Sequence, residues 1–135
     1  MTRRAFLAAC AFTLVAALSV FAEPGLYSPS VRQGETFVRV ITWKDANGDL
    51  VNLAGYTAKL QLRDPTAGTI VDEFTESTGL ALGGAAGTIT WTITATETAA
   101  LPAGTLAYDL RLTSGASVVT YLLYGQVKVH ARITQ

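Results

Sequence analysis

Asp72, Glu73 and Glu76 form the densest acidic group in the chain. Glycoside hydrolysis needs two carboxylates facing each other at controlled separation, one as acid and the other as base or nucleophile. No aromatic side chains of a sugar pocket accompany these three, so the pattern favours a solvated strand end. Asp45-Ala46-Asn47-Gly48-Asp49 alternates acidic and amide side chains in the manner of a calcium loop. Its glycine precedes the third ligand position instead of following it, and no glutamate closes the loop. Asn47-Gly48 is the stronger signal: between two strand-like runs it predicts a hairpin with a type I′ turn, in which both residues take positive φ. Gly83-Gly84-Ala85-Ala86-Gly87 lacks the Lys-Ser/Thr of a phosphate loop and reads as a hairpin tip. His130 is the only histidine and Cys10 the only cysteine. No metal ligand set, thiolate site or nucleophile–base pair can be assembled from them, and His130 reads as an exposed side chain. The chain is therefore expected to bind no cofactor and to catalyse no reaction.

The elements that carry these residues are predominantly extended. Thr105 to Thr113 alternates strictly, with Leu106, Tyr108, Leu110 and Leu112 on one face and Ala107, Asp109 and Arg111 on the other. Pro102 and Gly104 break the chain before it. A tyrosine four residues after such a glycine resembles the tyrosine corner of immunoglobulin-like sandwiches, which predicts that the Tyr108 hydroxyl bonds back to the preceding loop. Tyr56 to Arg63 places Ala58, Leu60 and Leu62 inward, and Asp64 to Gly68 turns the chain into a returning strand over Thr69 to Phe74. Thr88 to Thr94 sets Ile89, Trp91 and Ile93 against four threonines, with Trp91 assigned to the core. Thr94-Ala95-Thr96-Glu97 fits a capping box and predicts about one helical turn over Ala95 to Ala100. Thr36 to Trp43 is apolar on both faces, and its inner side is left open. In the final run Val119, Tyr121, Leu123, Val127, Val129 and Ile133 are assigned one register, with Gly125 as a bulge or close approach.

Length and composition are consistent with one such domain. The chain has 135 residues, 10 Lys plus Arg against 10 Asp plus Glu, 15% charged and 50% apolar residues. A balanced charge offers no field for nucleic acid. Residues 1–22 have the features of an export signal: Arg3 and Arg4, an uncharged run from Ala5, and Val20-Phe21-Ala22 before a cut at Glu23. Thr2 to Leu7 resembles a twin-arginine motif, and Leu7-Ala8-Ala9-Cys10 a lipobox placed too early. A retained anchor is the competing reading, because the run approaches the roughly 17–20 residues that cross a bilayer. Residues 23–34, with Pro24 and Pro29, read as an extended arm free to reach a neighbour. The domain assignment is thus a leader helix over 1–22, the arm over 23–34 and a β-sandwich over 35–135.

The runs G-E-T-F-V-R-V-I-T-W-K-D-A-N-G-D, N-L-A-G-Y-T-A-K-L-Q-L-R-D, G-T-I-T-W-T-I-T-A-T-E-T-A-A-L-P-A-G-T-L-A-Y-D-L-R-L and L-L-Y-G-Q-V-K-V resemble the small immunoglobulin-like structural proteins of tailed bacteriophages and prophages. The resemblance covers about Gln33 to Thr134 and implies an antiparallel sandwich of about seven or eight strands. It further implies a non-enzymatic packing or adaptor module in the tail, baseplate, neck or fibre region of a virion. Partners would be other virion structural proteins or a second copy. Independently of the resemblance, the final run from Val118 to Ile133 has no proline and is apolar on both faces around Tyr121 to Tyr124, so it reads as a strand that is either central or an edge to be covered by a neighbour, with Tyr121, Leu122 and Tyr124 as the interface. The leader departs from that pattern, which keeps open an exported, periplasmic or extracellular sandwich that binds an envelope protein or carbohydrate. A membrane would be involved only through an uncut leader. Gly104, Tyr108, Trp91, Asn47 and Gly48 are the residues assigned to the architecture.

Overall fold

Period-two alternation of large apolar residues produces two sheets packed face to face. A computed structural model describes residues 17–20 and 25–134. One sheet contains β1 (Ala17–Val20), β4 (Phe37–Trp43), β8 (Thr88–Ile93) and β7 (Leu80–Leu82), in that order. The other runs β2 (Gly25–Leu26), β10 (Val119–His130), β9 (Gly104–Thr113), β5 (Thr57–Arg63) and β6 (Ile70–Thr75), with β3 (Ser30–Arg32) also on β10. The chain changes sheet after β1, β3, β4, β6 and β8, the last time through α1 (Ala95–Ala100). This is an all-β, immunoglobulin-like sandwich, with an extra strand, β6, beside the central three of its larger sheet. The expected leader helix lies outside the described residues, apart from Ala17–Val20, which are extended and pair in parallel with β4. Among the described residues no helix is long and apolar enough to cross a membrane.

The inner face of β4, left open by the sequence, is Phe37, Ile41 and Trp43. These meet Ile89, Trp91 and Ile93 from β8, Ala58, Leu60 and Leu62 from β5, and Leu106, Tyr108, Leu110 and Leu112 from β9. Trp91 is fully buried at the centre, its ring 4.8 Å from Phe37, 6.1 Å from Phe74 and 5.3 Å from Tyr108. It therefore joins the two sheets, which have no cysteine beyond Cys10 to cross-link them.

The capping box forms as read: the Glu97 amide donates to Thr94 Oγ1 at 3.2 Å, and the Thr94 amide donates to Glu97 Oε1 at 2.9 Å. Sequence reading missed Thr98, the one buried polar side chain among the described residues. Its hydroxyl donates to the Glu35 carbonyl at 2.7 Å and accepts from the Gly34 amide at 3.0 Å, tying α1 to the turn before β4.

The Asn47-Gly48 hairpin differs from the expected type I′ turn. The Gly48 amide donates to the Asp45 carbonyl, the Asp45 amide donates to the Asp49 carbonyl, and only Gly48, at φ +87°, is left-handed. This is a type I turn closed by a left-handed glycine. Asp45 determines it, because Oδ1 accepts the Asn47 and Asp49 amides at 2.9 and 3.0 Å and holds Asn47 at negative φ. The Ser114–Val118 turn has the same hydrogen-bond plan, but its left-handed residue is Ser117, at φ +65°. Ser117→Gly should stabilise the domain by about 0.5 kcal/mol, the left-handed strain relieved less the added chain entropy of glycine. A rise in the urea midpoint at constant slope is the expected result.

The arm is not free. Leu26 and Val31 pair in parallel with Tyr124 and Val129, and amides of β10 reach the arm between them: Gln126 donates to Ser28 Oγ at 3.3 Å and Lys128 to the Pro29 carbonyl at 3.1 Å. The edge expected to face a partner is therefore covered from Leu123 to His130 by the protein's own N-terminal segment. Parallel pairing across so many intervening residues has no local signal.

The final strand also changes register. Its bulge falls between Tyr121 and Leu123, at Leu122, and not at Gly125. Leu122 and Leu123 both point inward and are buried, while Val119 and Tyr121 turn out to solvent. Leu122 is thus core, and the single register assigned across Val119 to Ile133 is corrected.

Candidate docking face

Gly125 provides the close approach that its sequence position allowed. It stands opposite Tyr108 in the β9–β10 ladder, and a Cβ there would lie 2.3 Å from the Tyr27 carbonyl oxygen. With no side chain at Gly125, the Tyr108 hydroxyl reaches across β10 and donates to that carbonyl at 2.5 Å. The Tyr27 amide donates in turn to the Tyr124 carbonyl at 3.0 Å, and Arg39 Nε donates to the Tyr27 hydroxyl at 3.0 Å. Tyr108 is therefore buried and hydrogen-bonded, but its partner is the arm and not the loop before β9, so the tyrosine-corner reading is corrected. Gly104, at φ +127°, opens β9 opposite Val129. Burial pushes the Tyr108 phenol above its ordinary pKa, and the neighbouring Tyr27 adds to the shift. Tyr108→Phe should cost about 1–2 kcal/mol, because it leaves the Tyr27 carbonyl without its buried donor while the ring still packs. The denaturant midpoint reads the difference.

This clasp fixes β10 and with it the outer face of the larger sheet. Because the bulge at Leu122 uses one extra residue, Tyr121 and Tyr124 share that outer face, where a regular strand would have set them on opposite sides. They are 48% and 49% exposed. Ladder pairing places Tyr121 beside Arg111 and Lys59 in one row and Tyr124 beside Asp109, Gln61 and Glu73 in the next. Lys59, Gln61, Arg63, Asp109, Arg111 and Tyr121 line a shallow cleft of about 480 Å³. Gln61 is held on both sides: it donates to Glu73 Oε2 at 2.5 Å and accepts from Arg63 Nη2 at 2.7 Å. Lys59 Nζ is 3.9 Å from Glu73 Oε2. The side chains of Asp109 and Arg111 have no hydrogen-bond or ion-pair partner among the described residues, so this side of the face presents an unused acceptor and an unused donor fork beside the two tyrosines.

The other residues considered for chemistry are dispersed. Asp72 is raised in pKa chiefly by its own burial, with the charge of Glu97 adding to it. Glu76 is lowered by accepting the Ala58 amide at 3.0 Å, which ties β5 to the turn after β6. His130 is half-buried, not exposed, in register with Arg32. No group of three or more His, Cys, Asp or Glu that could hold a metal occurs among the described residues.

No family model matches the chain, and no curated protein is similar to it in sequence. Solved structures share the fold. The N-terminal domain of ORF48 from phage TP901-1 superposes with a TM-score of 0.54 at 13% identity, over 84% of this chain and 96% of that domain. A chicken TCR structure superposes with a TM-score of 0.51 at 13% identity, over 85% of this chain and 57% of that one. At this identity the likenesses establish an immunoglobulin-like fold.

Proposed function

We propose that the chain is a non-enzymatic structural module of a phage or prophage virion, in its tail, baseplate, neck or fibre region, which docks onto a neighbouring virion protein through the outer face of its larger sheet. The observation that carries this reading is the grouping of Tyr121, Tyr124, Arg111 and Asp109. Tyrosine and arginine dominate binding hot spots, because each brings a large contact area with a polar tip. The likeness to a phage domain over nearly that domain's whole length supports the virion setting, as does the strand and turn pattern of phage structural proteins. The pair Arg111→Glu and Tyr121→Ser tests the face. Both side chains lie outside the core, so stability should stay within about 0.5 kcal/mol. Incorporation into particles made by a lysogen carrying the gene should fall at least about tenfold. Unchanged incorporation of the folded variant contradicts the assignment.

A second reading is favoured by the leader and by the two tyrosines on one face. In it the domain is exported and binds a carbohydrate or protein of the cell envelope. Recovery of the protein from the periplasm or medium of cells that make no particles, beginning at Glu23, is the result that reading requires.

A further inference from the structure

The smaller sheet ends at β1, and without that strand it would end at β4. The Trp43 amide donates to the Gly87 carbonyl on the β8 side at 2.7 Å. Alternation along a strand then turns the backbone groups of Val40 and Thr42 to the opposite edge, where β1 lies. β1 is parallel to β4 in the register Ala17 to Val40, Leu18 to Ile41, Ser19 to Thr42 and Val20 to Trp43. The two large apolar residues of β1 thus stand in register with the buried Ile41 and Trp43, and the small ones with the outer Val40 and Thr42. This is the pattern that specifies strand register.

Edge strands are ordinarily guarded by inward charges, prolines or bulges. β4 has one such guard, Arg39, which has the parity of Phe37 and Ile41, lies 4.5 Å over the Phe37 ring and donates to Tyr27. From Val40 to Trp43 there is neither charge nor proline, and this is the length that β1 covers. We propose that the β4 edge from Val40 to Trp43 is a strand-addition site whose occupant is this chain's own Ala17–Val20. Loss of that segment opens the edge to an alternating apolar strand of the same kind from a neighbouring subunit. Main-chain hydrogen bonds would supply affinity, and the positions beside Ile41 and Trp43 the selectivity. A cut after Ala22, where the sequence offers one, would remove the occupant, so processing and assembly would be coupled. This surface is separate from the tyrosine face, and the inference stands independently of the virion reading.

The test is amide hydrogen exchange on the full chain, made by cell-free synthesis so that no peptidase acts on it. In the unaltered chain the Val40 and Thr42 amides should be protected. In the double variant Leu18→Asp and Val20→Asp, and separately in Ser19→Pro, both amides should exchange at least about tenfold faster, while the inner amides of β8 keep their protection. Adding a synthetic peptide of residues 15–22 to either variant should restore protection, and the same peptide carrying aspartate at positions 18 and 20 should not. Equal exchange at Val40 and Thr42 in the unaltered and variant chains overturns the proposal. So does failure of the peptide to restore protection, or equal restoration by both peptides.

Discussion

Gly125→Ala should cost the domain about 2–4 kcal/mol, about twice the loss from Tyr108→Phe, although it adds only a methyl group. The methyl carbon would lie 2.3 Å from the Tyr27 carbonyl oxygen, inside any real contact, and the obstructing atom is backbone. Relief requires the arm to lift from β10. That movement also breaks the Tyr108 hydroxyl bond and the pairing of Gly25 and Leu26 with β10. The two substitutions should therefore be non-additive: once alanine has displaced Tyr27, removing the Tyr108 hydroxyl costs little more. Urea unfolding of the single and double variants measures this coupling, and strict additivity would dissociate Gly125 from the clasp.

Trp91→Ala should be the most damaging substitution in the core, at about 3–5 kcal/mol. For a domain whose total stability is of the order of 5–15 kcal/mol, such a loss is a large fraction of the whole. Three rings lose their common partner at once, and two of them, Phe37 and Tyr108, belong to opposite sheets. Trp91→Phe is the informative control. The Trp91 Nε1 atom has no hydrogen-bond partner, so phenylalanine forfeits volume but no polar contact. Its cost should fall well below that of alanine, and a similar cost for both would contradict a loss set by the ring volume removed from between the sheets.

What the sequence disclosed follows from how local each signal is. The alternation in β5, β8 and β9 selects the correct inward residues, because a half-buried strand writes its burial into every second position. The Thr94 and Glu97 capping box is legible for the same reason, since all its partners lie within four residues. The errors occur where distant chain decides. Asn47-Gly48 suggested one turn, and the carboxylate of Asp45 selected another. Leu122 sits in a bulge that no spacing rule places, and that bulge moved Leu122 to the core and brought Tyr121 and Tyr124 together. Tyr108 was correctly read as buried, but its hydrogen-bond partner is 81 residues away, on an arm that looked unattached. The docking face was only half visible in consequence: its tyrosines could be named, while Arg111 and Asp109 beside them are evident only once β9 and β10 are in register.

Site-specific photo-cross-linking tests the docking face most directly. A photoreactive phenylalanine in place of Tyr124, which projects from the outer face, should join the protein within purified particles to one neighbouring structural protein. The same group at Val38, exposed on the other sheet, should not yield that product. Particles that contain the protein but give no cross-link from position 124, or the same cross-link from both positions, would contradict docking through the larger sheet.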